Sequence, residues 1–282
     1  MTRFVQLAGI DVPAIGQGSW HMGEGLYDRQ QEIDALRRGL DAGMTLIDTA
    51  EMYASGESEK VVGEAIRGRR DDAFLVSKVL PSNAGTRDTI AACERSLKRM
   101  GVEQLDLYLL HWRGSTRLVE TLEAFDRLVE AGKIAAFGVS NFDVDDIEEL
   151  YTLKGGDQCA VNQVLYHLGS REIEHSLQPL QRRNNLPIMA YCPLAQGGRD
   201  HERLVQHRTI RAIADEYDIT PSQVLLAWAV RDDDVIAIPK AVTPEHIDDN
   251  AAVLNIALDN DALERLDEAF MPPEGRPSIN IV

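Results

Sequence analysis

The sequence predicts an α/β fold, a (β/α)8 TIM barrel with an N-terminal hairpin and extra C-terminal helices, and three observations carry the prediction. Eight short apolar runs alternate with longer segments of helical period, the pattern of parallel strands joined by right-handed crossovers. Polar residues stand at the C-terminal ends of these runs, where a barrel of this type keeps its function: Asp48, Lys78, His111, Ser140, Asn141, Gln163, Tyr191 and Lys240. The rival architecture, an open doubly wound sheet, would be expected to carry a GxGxxG turn. The segment Gly16-Gln17-Gly18-Ser19-Trp20-His21 lacks the last glycine and does not precede a helix start.

The elements follow in order. A hairpin is expected over residues 3–14, and strands near Ile15–Gly18, Thr45–Asp48, Phe74–Lys78, Leu105–His111, Ile134–Ser140, Ala160–Gln163, Ile188–Tyr191 and Val235–Lys240. Amphipathic helices are expected near residues 29–42, 57–68, 87–100, 117–131, 143–153, 172–184, 221–231 and 244–254, with additional helices near 208–217 and 260–270. Gly43, Gly101 and Gly132 each follow a periodic segment, where a glycine ends a helix most readily. Thr220-Pro221-Ser222-Gln223 reads as a capping box with proline at the first helical position, and Thr243-Pro244-Glu245 repeats the cap and the proline. No Pro/Gly/Ser-rich linker, low-complexity stretch or internal repeat divides the chain. Its 282 residues are therefore expected to form one barrel domain over 1–282.

Four of the strand-end residues form a chemical unit. In Leu46-Ile47-Asp48-Thr49-Ala50-Glu51-Met52-Tyr53, Phe74-Leu75-Val76-Ser77-Lys78 and Leu109-Leu110-His111-Trp112, each polar residue ends an apolar run or lies just beyond one. A tyrosine hydroxyl titrates near ~10, too weak an acid to donate readily at neutral pH. The ammonium of Lys78, kept charged by Asp48, is expected to depress the Tyr53 phenol, while His111 hydrogen-bonds the same substrate oxygen. The set suits reduction of a carbonyl, with hydride arriving at carbon and Tyr53 giving a proton to oxygen. Singly, each residue has a bland reading as cap, packing ring or solvated end. Jointly, at separate strand ends of one barrel, they point to catalysis.

Over essentially its full length the chain resembles the aldo-keto reductases, with the closest similarity to bacterial members described as methylglyoxal reductases. The match rests on Asp48-Thr49-Ala50-Glu51-Met52-Tyr53, Lys78, His111, Gly138-Val139-Ser140-Asn141-Phe142, Asn162-Gln163, Tyr191-Cys192-Pro193-Leu194 and Ile238-Pro239-Lys240. The resemblance implies a barrel that binds a nicotinamide cofactor in extended form, with Tyr53 as general acid and Asp48, Lys78 and His111 completing the catalytic tetrad. It further implies Ser140, Asn141 and Gln163 at the cofactor's carboxamide and Tyr191 stacked under the nicotinamide. Lys240 and Thr243 are implied at the phosphates, and Asp249 and Asn250 near adenine. One position departs from the family pattern: His246 stands six residues past Lys240, where many NADPH-preferring relatives carry an arginine. Histidine is a weaker clamp for a 2′-phosphate, so NADPH is the expected cofactor with NADH use possible.

The loops that wall the pocket in larger relatives are short here. His111 to Leu118, Ala195 to Gln206 and Pro272 to Val282 leave a low rim, and Trp20 and Trp112 are expected beside the mouth as apolar walls or as lids on the core. Small aldehydes and α-oxoaldehydes such as methylglyoxal are the expected substrates. The rival functions are a cofactor-binding redox sensor with little turnover, and a dehydrogenase running toward oxidation of an alcohol or sugar.

Composition excludes other classes. Cys93, Cys159 and Cys192 occur singly, and His201 and His207 stand six residues apart where a helical metal pair needs four, so neither a disulfide framework nor a metal site is expected. No apolar run is long enough to span a membrane, and the N-terminus, with Arg3, Gln6 and Asp11, lacks a secretory core; a cytoplasmic location is expected. The net charge of −17 disfavours nucleic acid and acidic membranes as partners. No exposed apolar stripe announces an interface, which leaves a monomer or a small homo-oligomer. Only six of the 29 basic residues are lysine. Such an acidic, lysine-poor surface is what a high-salt cytoplasm would select, because salt screens the repulsion between dense carboxylates. Unfolding curves with and without molar salt check this: greater stability in molar salt is expected, and indifference to salt would sink the reading.

Overall fold

The computed structural model describes residues 3–281, and they alternate strand and helix almost throughout. Strands β1 (Phe4–Leu7) and β2 (Ile10–Pro13) form an antiparallel hairpin whose Val5, Leu7 and Val12 are buried. Then follow β3 (Gln17–Gly18), α1 (Arg29–Asp41), β4 (Leu46–Asp48), α2 (Glu57–Ala65), β5 (Phe74–Val79), α3 (Thr86–Met100), β6 (Leu105–Leu110) and α4 (Leu118–Glu130). The second half runs β7 (Ile134–Ser140), α5 (Val144–Thr152), β8 (Asn162–Leu165), α6 (Leu177–Arg183), β9 (Ile188–Tyr191), α7 (Gly198–Val205), α8 (Arg208–Tyr217) and α9 (Pro221–Ala229). Strand β10 (Val235–Ala237) and helices α10 (Pro244–Ala252) and α11 (Asn260–Ala269) complete the order.

Strands β3 to β10 form one eight-stranded parallel sheet in sequence order. The sheet closes on itself, because Gly16 N donates to Ala237 O at 2.8 Å and Ala237 N to Ala14 O at 2.8 Å. Both faces of the strands are covered, which is why β5 is buried at all six positions and reads as an apolar run. Alternation then sorts its two polar residues. Ser77 turns outward to donate to Glu59 on α2 at 2.7 Å, and Lys78 turns inward.

Register carries the inward face around the barrel. Asp48 pairs with Val76, two residues before Lys78; Lys78 pairs with Leu109, two residues before His111. Because residues two apart share a face, Asp48, Lys78 and His111 climb the same inner wall at the C-terminal mouth. Further round, Ser140 pairs with Gln163. Gly138 permits that approach, since a Cβ there would meet the Val161 carbonyl oxygen at 2.8 Å.

Two helical expectations differ from the structure. Residues 172–184 form a 3-10 turn at Glu172–Glu174 and then α6 from Leu177, so that Pro179 falls within the first helical turn, where its missing N–H removes no bond. The segment after β9, read as loop, contains α7, of which only Leu204 is buried. One inward residue gives too faint a period to detect. The capping box at Thr220 is present in full, with the Gln223 amide N–H and side chain both engaged. Among the described residues no helix is long and apolar enough to cross a membrane.

Candidate active site

The mouth of the barrel is organised by a fully buried ion pair. The Lys78 ammonium donates to Asp48 Oδ2 at 2.7 Å, to the Thr49 carbonyl at 3.0 Å and to the Tyr53 phenolic oxygen at 3.1 Å, so all three of its protons are engaged. The second carboxylate oxygen of Asp48 accepts from Gln163 Nε2 at 2.8 Å. Burial pushes the Asp48 carboxyl up and the Lys78 ammonium down, and each is opposed by the charge of the other.

Tyr53 follows β4 on a tight 3-10 turn, Tyr53–Gly56, in which Ala54 and Ser55 hold φ of 47° and 54°. The turn brings the phenol back over Lys78, whose Nζ lies 4.8 Å from the ring centroid. The expected depression of the phenol is not what the geometry produces. Burial, and then the negative charge of Asp48, hold the Tyr53 pKa well above its ordinary value, because the ammonium is already balanced by the carboxylate beside it. The phenolic oxygen accepts from Lys78 while its own proton has no acceptor in the pair beneath.

His111 meets the Tyr53 ring edge-on with centroids 5.8 Å apart, and Trp112 lies 4.9 Å from His111. Burial, reinforced by the Lys78 charge, drives its imidazole pKa down to about 2, so the ring is neutral at any working pH. Its Nδ1 is buried without a hydrogen-bond partner. A neutral ring protonated on Nε2 leaves an unpaired acceptor there rather than an unpaired donor.

These groups open on a cavity of about 790 Å³. Ser140, Asn141, Gln163 and Tyr191 line it, with Lys240 from the segment after β10 and His246, Asp249 and Asn250 from α10. Asn141, at φ 58°, donates to the His111 carbonyl at 3.1 Å and to Ser140 Oγ at 3.3 Å and accepts from the Tyr191 hydroxyl at 2.8 Å. With Gln163 Nε2 turned to Asp48, the carbonyl oxygen of that amide is its remaining acceptor. Lys240 sits with Nζ 4.8 Å over the Tyr27 ring; burial lowers its pKa, opposed by Glu32 and Glu24. Trp20 and Trp112 both line the cavity, half-buried, as walls rather than core lids. Thr243 does not line it: its hydroxyl caps α10, accepting from the His246 N–H at 3.4 Å.

Amide-reading side chains beside a half-buried ring, with a lysine and the amino ends of α9 and α10 at the cavity, form a donor set that fits a nicotinamide dinucleotide. Sequence reasoning missed Met52, Cys192, Ser222 and Ile281, which also line the cavity. Ser222 was legible only as part of a cap. Ile281 is brought there by tertiary pins on the tail: Arg276 reaches Asp145 at 2.6 Å and Asn280 reaches Glu172 at 2.9 Å. Cys93 and Cys159 are buried, and burial raises the Cys192 thiol to about 11, so all three cysteines are free and neutral. Among the described residues no group of three or more His, Cys, Asp or Glu could hold a metal.

Comparison with known proteins places this geometry. The chain is 50% identical over 281 residues to methylglyoxal reductase YeaE of Escherichia coli, covering 99% of both chains. It is 31% identical over 263 residues to glyoxal reductase of Bacillus subtilis, covering 92% of this chain and 89% of that one. A crystal structure of an aldo-keto reductase from Klebsiella pneumoniae in complex with NADPH superposes with a TM-score of 0.97 at 50% identity, covering 100% of both chains. The sequence model of the Aldo/keto reductase family matches residues 14–270. With the closed parallel barrel and the four-residue cluster at its mouth, these matches show that the chain belongs to the aldo/keto reductase family.

Proposed function

We propose that the protein reduces small aldehydes and α-oxoaldehydes of the methylglyoxal type to alcohols, with NADPH as the cofactor and Tyr53 as the general acid. The observation that carries this reading is the Lys78 ammonium bridging Asp48 and the Tyr53 oxygen beneath a cavity fitted for a nicotinamide, in a chain half identical to a methylglyoxal reductase over its full length.

Ser140, Asn141 and the free carbonyl of Gln163 would hold the carboxamide, and the Tyr191 ring would lie under the nicotinamide. Lys240, with His246, would meet the phosphates, while Thr243 caps the helix that carries His246; Asp249 and Asn250 would meet the adenine end. When bound, the reduced nicotinamide supplies the hydride that the carbonyl carbon accepts. The residues of the chain manage the oxygen. His111, neutral, offers an N–H to the carbonyl oxygen and orients it. As negative charge develops there, Tyr53 transfers its proton, and the phenolate oxygen left behind is already hydrogen-bonded to Lys78. Asp48 keeps that ammonium charged, and Gln163 fixes the carboxylate that does so. The raised phenol favours reduction over alcohol oxidation at neutral pH, because the donor form is populated and the phenolate base is not.

A cytoplasmic location belongs to this proposal as well, as does adaptation to high salt, the latter supported by the net charge of −17 and the shortage of lysine.

Tyr53→Phe is expected to lower kcat by at least ~100-fold while leaving the NADPH Kd within about twofold, since only the proton donor is removed; steady-state assay and fluorescence titration measure both, and a near-normal rate would remove Tyr53 from the mechanism. The sign of the pH dependence follows from the raised phenol: the protonated donor persists below its pKa and is lost above it. The reductive kcat/KM should therefore show no alkaline limb below about pH 9, and a limb near neutrality would contradict the assignment. His246→Arg should raise the NADPH-to-NADH ratio of kcat/KM by about tenfold, through a permanent bidentate clamp. Parent enzyme that uses NADH as efficiently as NADPH would overturn the cofactor preference.

A further inference from the structure

We infer that this active site selects uncharged carbonyl compounds and discriminates against those carrying a carboxylate. The inference rests on the reductase reading above and concerns the walls around Tyr53 and His111. Trp20, Met52, Trp112 and Ile281 all line the cavity, and Met52 and Ile281 are 41% and 58% exposed. A substrate that places its carbonyl oxygen between the Tyr53 hydroxyl and His111 lays its tail among these apolar groups.

The charges close to that position offer an anion nothing. Lys78, the cation beneath Tyr53, is 0% exposed, has all its protons engaged and is balanced by Asp48. The imidazole of His111 is neutral because of its burial. Among the residues lining the cavity Lys240 is the one lysine or arginine; it leads toward α10, lies over Tyr27 beside Glu24 and Glu32, and shares the cavity with Glu245 and Asp249. His21 faces Glu24 at 2.9 Å, and His201 is bonded through Nδ1 to the Leu194 carbonyl at 2.9 Å.

The arginines in the segments that carry Trp112 and Ile281 are committed elsewhere. Arg113, directly after Trp112, donates to the Gly114 and Thr116 carbonyls at 3.2 and 2.8 Å and to both oxygens of Glu149 at 3.1 Å. Arg276, in the tail that carries Ile281, is paired with Asp145 at 2.6 Å. A carboxylate entering this half of the cavity thus sheds water against apolar walls, finds no partner, and does so within a chain of net charge −17. A neutral tail of the same shape gains contact with the walls and meets none of this resistance.

The test compares 4-oxobutanoate with its neutral methyl ester at saturating NADPH, pH 8 and low salt, with methylglyoxal as the reference substrate. The expected result is a kcat/KM for the ester at least about tenfold above that for the acid. Acid and ester reduced with equal efficiency would overturn the selection while leaving the reductase reading intact. No turnover of any of the three compounds would instead defeat the reductase reading, and the inference with it. Met52→Arg places a guanidinium on the open rim and is expected to raise kcat/KM for the acid by about threefold or more relative to the ester, through charge pairing. A ratio unmoved by that substitution, in protein that still reduces methylglyoxal, would show that charge is not the cause of the preference.

Discussion

The ion pair between Asp48 and Lys78 is the constraint on which the site depends. Two charges removed from water are costly unless each finds a full set of partners, and a buried pair stripped of one member leaves the other stranded. Here the ammonium has three acceptors and the carboxylate two donors, drawn from β4, β5, the turn after β4, and β8. The bonds therefore fix more than charge. Gln163 crosses the barrel interior to reach Asp48, and Tyr53 is held to the same centre by a turn with two residues in the left-handed region. The Tyr53 phenol, the Gln163 amide and the ion pair become one unit whose geometry no single strand sets.

Strain in the backbone marks the same region. Among the described residues, nine residues other than glycine have positive φ, and six of them line the cavity or flank Tyr53: His21, Ala54, Ser55, Asn141, Cys192 and Ala195. Such conformations cost about 1–3 kcal/mol each and persist only where the surroundings over-determine them. At Asn141 the reward is visible, since one side chain ties together His111, Ser140 and Tyr191. Electrostatics follow a similar division. Permanent positive charge is buried and balanced beneath Tyr53, and among the described residues that line the cavity Lys240 is the one lysine or arginine. Over the chain as a whole carboxylates outnumber basic groups, for a net charge of −17.

Much of this was legible in the residues. The eight strands could be placed because a parallel strand covered on both faces must be an apolar run, and the polar exceptions to that rule, Asp48, Lys78 and His111, stood out as candidate site residues for the same reason. Caps at Thr220 and Thr243 were readable because a hydroxyl before a proline has a local role that needs no tertiary partner. Helix α7 and the break before α6 were not readable, since a single buried leucine gives no period and a 3-10 turn differs from a helix by one hydrogen-bond step.

By itself, then, the sequence determined the barrel, its punctuation and the four chemical groups at the mouth, because local period and side-chain chemistry are properties of short segments. The tertiary structure alone decided the protonation of those groups. Whether Lys78 lowers the Tyr53 phenol depends on how deeply both are buried and on where Asp48 lies, and burial and the carboxylate prevail. It also decided that Met52 and Ile281, 229 residues apart in sequence, wall one cavity while Arg113 and Arg276 are drawn away from it. Desolvation and long-range pairing arise only when distant segments meet, so no reading of separate segments contains them.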